Sequence, residues 1–460
     1  MVESSNFNES EPVIIRSLDL NHLTLSSPIG RGSKGVVFRI LNNNNNNDKQ
    51  QLDDLALKVI SKSLIRTKKT SNSNGGGDGA AMRRVEMERK VLRETRHPLV
   101  ARMRGVAETE EVVGFAIEYC SGGDLGTVRR MQSDKMFSDD VIRFYAAELV
   151  LALEYLHREG IVYRDLKPEN LLIQSNGHIM LVDFDLSTRL APKQPVPAFQ
   201  PAVVLSKNLS SPKPITPKTK RTKSNLSRFF NCYNSVISPD HESVPSLKIM
   251  PDSVLSTESS DLSGKSNSFV GTEEYVAPEM IMGTGHDFSI DWWCLGVVLF
   301  EMLYGTTPFK GSNRKDTFYR VLTRSPELIG EATPLRDLIR RLLEKDPTKR
   351  ITLEGIKGHE FFKGVDWDMI LRLARPPYIP GRSEIDEGIE RLNGAEVENI
   401  VRGIFEEIEN NNKIDCENKN NYDKSNGDKK NNGQSIVASK GVRWLEGLDH
   451  AIESHNFSVF

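Results

Sequence analysis

Cysteine is scarce and scattered: four residues in 460, Cys120, Cys232, Cys294 and Cys416, none within CxxC spacing of another. That excludes a disulfide scaffold and a zinc framework, and it points to a reducing compartment holding free thiols. Long apolar runs are missing too. The longest, Trp292 to Leu303, falls short of the about 20 residues that a membrane-spanning helix requires, so it reads as a buried core helix. Met1 to Pro12 is polar and acidic, without the apolar stretch of a secretory signal. Neither sign of charge dominates: 61 Lys and Arg against 63 Asp and Glu leave a formal net charge of -2, with no global pull toward nucleic acid or acidic lipid. These absences lead us to expect an intracellular chain that is not secreted, has no transmembrane helix and binds no nucleic acid; we take it as a monomer. Its place is cytoplasmic, with the nucleus and the cell periphery left open.

What the chain does have is a change of texture along its length. Alternating apolar residues from Leu23 to Leu41, around Gly30, Gly32 and Gly35, predict two strands joined by a glycine turn. A short apolar strand over Leu55 to Ile60 carries Lys58, a helix near Met82 to Arg96 carries Glu88, and Val112 to Tyr119 predicts a strand ending at a hinge with Cys120, Gly122 and Gly123. The Asn42 to Asn47 run and Ser71 to Gly79 read as loops. Beyond the hinge the pattern turns helical. Ser138 is placed to cap a helix to His157, with Val141, Phe144, Tyr145, Leu149, Ala152 and Leu156 at helical spacing. Further helices are predicted over Asp291 to Leu303, Asn313 to Leu322, Pro334 to Glu344 and Thr352 to Phe362. The fold class is therefore α+β, with a small β-rich lobe holding one main helix and a larger helical lobe. We divide the chain into an N-terminal extension (1–22), a catalytic domain (23–362, with lobes of about 23–118 and 121–362) and a tail (363–460). The Ser-, Pro- and Lys-rich stretch 191–265 reads as a disordered surface insertion, and 410–433 as an Asn-rich linker.

The chemistry is carried by spaced motifs. Gly30-Arg31-Gly32-Ser33-Lys34-Gly35-Val36-Val37 fits GxGxxGxV, in which missing Cβ atoms let backbone N–H groups approach phosphate oxygens, although a tight hairpin alone would also select glycines. Lys58 stands where a strand lysine meets the α- and β-phosphates, with Glu88 on the next helix as its salt-bridge partner. In Tyr163-Arg164-Asp165-Leu166-Lys167-Pro168-Glu169-Asn170, Asp165 is a base for a hydroxyl and Lys167 a counter-charge for the moving phosphoryl group. Asn170 and Asp183, the latter in Asp183-Phe184-Asp185, are oxygen ligands for a metal. Downstream, Glu279 of Ala277-Pro278-Glu279 and Arg350 are expected to form a structural ion pair.

Together, GRGSKGVVF, ALKVI, YRDLKPEN, DFD, SFVGTEEYVAPE and DWWCLGVVLFEMLYGTTPF resemble the plant AGC-type (AGC VIII, DFD-containing) serine/threonine protein kinases. The oxidative-signal-inducible group stands nearest and the UNICORN-like group next. The resemblance implies a bilobal kinase fold that uses ATP and Mg²⁺, with the catalytic residues Asp165 and Lys167. The ATP site would comprise Gly30, Arg31, Gly32, Ser33, Gly35, Val37, Lys58, Glu118 and Cys120, with Asn170 and Asp183 as metal ligands. It further implies protein substrates phosphorylated on Ser or Thr, with Asp124, Glu169 and Glu301 holding upstream basic side chains. Ser268 matches an activation-loop phosphosite whose phosphate Arg164 could gather. Phe457 and Phe460 match an FxxF motif that docks a phosphoinositide-dependent upstream kinase. A role in stress, oxidative or growth signalling follows from the same resemblance. Asp185 stands where most kinases carry Gly, and with less access to φ > 0 the triplet is expected to flip less freely. Pro217 to Lys223 in the insertion leaves three readings open: a nuclear import factor, anionic lipid, or nothing specific. The competing class is a catalytically weak scaffold that keeps the fold for binding.

Overall fold

The computed structural model describes residues 15–32, 35–41, 54–65, 80–190, 266, 270–372, 376–380, 390–405 and 458–459. The first lobe grows from period-two patterning. In the strand Leu55–Ser61, Leu55, Leu57 and Val59 enter one apolar cluster while Ala56 and Lys58 line a cleft on the opposite face. We number the strands of this sheet β1 (Arg16–Leu18), β2 (Thr24–Arg31), β3 (Gly35–Leu41), β4 (Leu55–Ser61), β5 (Gly105–Glu108) and β6 (Val112–Glu118). Their order is β1-β5-β6-β4-β3-β2, with β1 parallel to β5 and the rest antiparallel. The register sets Lys58 between Val37 and Phe115, so all three meet at the cleft. Helices α1 (Lys62–Ile65) and α2 (Ala80–Glu94) follow β4. The sheet takes in Arg16–Leu18, which the sequence reading left in the N-terminal extension, and Gly105–Glu108, too short and too polar at its end to show period two.

The second lobe comprises α3 (Leu125–Arg130), α4 (Asp139–Arg158), two short strand pairs, and α5 (Pro278–Met282), α6 (Ser289–Tyr304), α7 (Arg314–Thr323), α8 (Pro334–Leu342) and α9 (Leu353–Lys357). The apolar run Trp292 to Leu303 lies in α6, whose residues Ile290 to Met302 are all buried, and Gly305 at φ 74° ends the helix in the left-handed region. Ser138 does precede α4, but it makes no side-chain cap bond; Asp139 and Asp140 in the first turn complement the helix dipole instead. Strands β7 (Ile161–Val162) and β10 (Thr188–Arg189) pair, as do β8 (Leu171–Ile173) and β9 (Ile179–Leu181), and these pairs flank the segments that carry Asp165, Asn170 and Asp183. The anticipated Glu279–Arg350 pair is present, bidentate at 2.7 and 3.0 Å and buried. Among the described residues no helix is long and apolar enough to cross a membrane.

The tail returns to the first lobe, through a pairing that the sequence does not show. Strand β11 (Arg391–Leu392) runs antiparallel to β2, pairing Arg391 with Ser26 and Leu392 with Leu25. A helix over 394–405 then lays Val397, Val401 and Phe405 into the same apolar cluster as Leu25, Phe38 and Leu57. Thr109 Oγ1 donates to Glu398 Oε1 at 2.6 Å beside this contact. At the chain end, β12 (Ser458–Val459) lies parallel to β2 at Gly30 and Arg31. Because Phe405 is almost wholly buried, Phe405→Ala should destabilise the domain by about 3 kcal/mol, read as a lower denaturation midpoint. An unchanged midpoint would show that the tail helix does not brace the sheet.

Candidate active site

A cleft opens between the sheet and the helical lobe. Ile29, Val37, Ala56, Phe115 and Leu172 form its apolar walls, and Lys58, Glu88 and Asp183 its polar end. A flat apolar slot with charges gathered at one end suits a planar base carrying a phosphate chain.

The charged end is tightly wired. Lys58 Nζ lies 2.7 Å from Glu88 Oε1 and 2.9 Å from Asp183 Oδ1. Burial alone would lower the lysine pKa, but the carboxylates of Asp183, Glu88 and Asp185 outweigh it and hold the ammonium above its usual range. Burial also pushes the Glu88 carboxyl up, against the pull of Lys58. At Asp183 the opposite balance holds: burial is overcome by Lys58, so the carboxyl is lowered and stays ionised.

The strands that carry the motif's glycines wall the cleft through Ile29 and Val37. A Cβ on Gly35 would come within 2.8 Å of the Val59 carbonyl, a backbone clash that explains the glycine. Gly30, Arg31 and Gly32 are in place at the end of β2, whereas Ser33 lies outside the described residues. At the hinge, Cys120 lines the cleft, and burial, followed by the nearby Glu118, pushes its thiol up so that it stays protonated. The Glu118 side chain turns instead to Arg104 and Arg102, so a contribution from this residue to a nucleotide falls to its main chain.

Asp165, Lys167 and Asn170 converge within hydrogen-bond distance. Asp165 Oδ2 accepts from Lys167 Nζ at 2.8 Å and from Asn170 Nδ2 at 3.0 Å. Its Oδ1 accepts from Thr272 Oγ1 at 3.0 Å, and Lys167 also donates to that hydroxyl at 3.1 Å. Thr272, on the activation segment, was missed from sequence; its position four residues beyond the matched phosphosite was the available signal. Asp291 was read only as the start of a helix. It is fully buried, accepts from the backbone N–H groups of Tyr163 and Arg164 at 2.9 and 2.8 Å, and meets His157 Nε2 at 2.8 Å. An acid leading an apolar run must be paired when buried, and that rule could have flagged it. The clamp helps hold Arg164 at φ 70°; Asp183 has φ 57°, and such strained backbone persists only where its surroundings enforce it. Asp185 is not among the positive-φ residues, so this conformation does not require glycine there.

The residues present suit a divalent cation. Asn170 spends its amide N–H₂ on Asp165, while its buried Oδ1 has no hydrogen-bond partner among the described residues. With the ionised Asp183, this makes two hard oxygen donors of the kind Mg²⁺ takes alongside phosphate.

The three acidic residues assigned to basic side chains differ in availability. Asp124 is 1% exposed and caps α3, accepting from Thr127 N–H at 2.7 Å and Thr127 Oγ1 at 2.6 Å. Glu301 is buried, bonded to Arg129 Nη2 at 2.7 Å and to the Tyr275 hydroxyl. Glu169 keeps an open face. Ser268, Phe457, Phe460 and the basic insertion lie outside the described residues; Arg164, the expected phosphate partner, donates to Ser266 Oγ at 3.3 Å, two residues before Ser268.

Glycine-bearing strands that wall a slot, a strand lysine bonded to a helix glutamate, and a loop carrying Asp, Lys and Asn close to a second Asp define a protein kinase. The chain belongs to that family: the model for the protein kinase domain matches residues 23–226 and 249–362. It is 50% identical over 450 residues to the serine/threonine-protein kinase OXI1 of Arabidopsis thaliana, covering 97% of this chain and 98% of that protein. It is 40% identical over 404 residues to the serine/threonine-protein kinase UCN of the same plant (85% and 91%), and 39% over 406 to UCNL (85% and 90%). The chain is thus a plant AGC-type serine/threonine protein kinase, of a class that in general uses ATP and a divalent metal.

Proposed function

We propose that this kinase transfers the γ-phosphoryl group of ATP to serine or threonine of proteins with basic residues upstream of the acceptor, and that phosphorylation of Ser268 switches it on. The reading is carried by Lys58 paired with Asp183 in the cleft, and by Asp165 bonded to Asn170, whose carbonyl accepts from Val182 N–H beside Asp183. Lys58 holds the α- and β-phosphates, and Glu88 holds Lys58. Asn170 Oδ1 and Asp183 are the ligands for Mg²⁺, which when bound neutralises charge on the β- and γ-phosphates. Asp165 orients the acceptor hydroxyl and takes its proton, while Lys167 steadies the charge on the transferred group. Thr272, bonded to both, ties the placement of this pair to the activation segment.

The switch rests on Arg164. A phosphate on Ser268 would add about two negative charges two residues along the chain from Ser266, which Arg164 already contacts, and would tie down the segment carrying Thr272. The upstream kinase would be of the phosphoinositide-dependent kind, docking on Phe457 and Phe460. A place in stress, oxidative or growth signalling, and a nuclear or lipid address for the insertion, belong to the same proposal.

A positional peptide library with labelled ATP tests the reading. Serine and threonine acceptors preceded by Arg should be labelled and tyrosine acceptors should not, and Ser268→Ala should lose most of that activity. Equal labelling with and without upstream Arg would remove the basic preference, and a fully active Ser268→Ala would remove the switch.

A further inference from the structure

We propose that Arg130 is a specificity-determining residue: it occupies the mouth of the Glu169 site as an internal stand-in for a substrate's basic side chain, and substrate must displace it. The inference rests on the basic preference proposed above and adds the residue that sets its strength.

Two consecutive arginines at the end of α3 have opposite fates. Arg129 is 5% exposed and committed to Glu301 and to the carbonyls of Lys135 and Gly305. The Arg130 side chain is 49% exposed and folds back along its own helix, with Nη2 donating to Thr127 Oγ1 at 2.7 Å. Its guanidinium is 3.9 Å from Asp124 Oδ1 and 3.9 Å from Glu169 Oε1. Gly126 leaves room beside it, since a Cβ there would lie 3.2 Å from Arg130 Nη1 and 3.0 Å from Asp124 Oδ1.

Of the two carboxylates it approaches, Asp124 is buried and already accepts two bonds from Thr127, whereas the Glu169 side chain remains 32% exposed. Among the described residues, Arg130 is the one cation within 4 Å of Glu169. At 3.9 Å the Arg130 contact is long for a charge-assisted hydrogen bond, and an incoming guanidinium could make a shorter, bidentate one. Arg130 would have to swing into solvent to let it do so. Its half-exposed position makes that movement inexpensive.

The test compares two serine peptides that differ only by Arg or Ala upstream of the acceptor, assayed on the full chain. Arg130→Ala should lower KM for the Arg peptide about 2- to 5-fold, the range of an exposed ion pair, and leave kcat, the Ala peptide and KM for ATP unchanged. Adding Glu169→Gln should erase that gain, an outcome a merely structural role for Arg130 would not produce. If wild type discriminates between the peptides but Arg130→Ala leaves both KM values alone or raises that for the Arg peptide, the Arg130 inference is overturned and the basic preference stands. If neither wild type nor Arg130→Ala discriminates, the basic preference itself fails and the inference falls with it. Discrimination that appears only in Arg130→Ala would support both.

Discussion

Replacing Asp165 by Asn should reduce kcat about 10²- to 10⁴-fold while nucleotide still binds, because the change removes a proton acceptor without removing volume. Both oxygens of Asp165 act as acceptors: Oδ1 from Thr272, and Oδ2 from Lys167 and Asn170. An amide must turn its N–H₂ toward one of these donors, so the local network loosens as well. Thermal unfolding and ATP affinity, measured beside kcat, separate the two effects. A variant with near-normal turnover would show that the acceptor hydroxyl does not depend on this carboxylate.

The second large effect concerns stability. Glu279→Gln should cost about 3–5 kcal/mol, because Arg350 would keep its full charge where its side chain has no exposure to water. Arg350 Nη1 would retain the Ser289 carbonyl at 2.8 Å, and Arg350 Nε the Glu344 carbonyl at 3.0 Å, but no carboxylate would balance it. Replacing both partners by apolar residues of similar volume should recover most of the loss, since a buried pair is expensive to break and often nearly neutral to replace. Denaturant unfolding of the two variants reads this contrast. A loss below about 1 kcal/mol for Glu279→Gln would mean that water reaches the pair.

The grouping of Asp165, Lys167, Asn170 and Asp183 was legible because the chemistry proposed for it calls for residue types at fixed intervals. Asp165 and Asn170 are bracketed by β7 and β8, and Asp183 follows β9, so short strand pairs convert sequence spacing into proximity. Helices α4 and α6 were readable for a different reason: each buries enough side chains for helical spacing, or an unbroken apolar run, to stand out.

Other features escaped. The tail helix over 394–405 shows its pattern at Val397, Val401 and Phe405, but so brief a stripe in a charged stretch does not reveal which sheet it covers. Arg16–Leu18 joins the sheet through parallel pairing with Gly105–Ala107, a long-range partnership that local pattern cannot express. Asp124, Glu169 and Glu301 looked equivalent because sequence gives residue type and not prior engagement. Asp124 was available as a helix cap, being followed three residues later by Thr127, whose N–H it accepts. Glu301 needed knowledge that Arg129 and Tyr275 lie beside it.

The most direct measurement follows the labelled γ-phosphate of ATP, with purified chain and a serine peptide bearing upstream arginine, in the presence of Mg²⁺ and after chelation. Label should reach the peptide serine, vanish on chelation, and be absent when Asp183 is changed to Asn. If the chain binds ATP in this cleft and passes no phosphate to any acceptor, the arrangement of Lys58, Asp165, Asn170 and Asp183 serves binding alone, and the assignment of phosphoryl transfer is wrong.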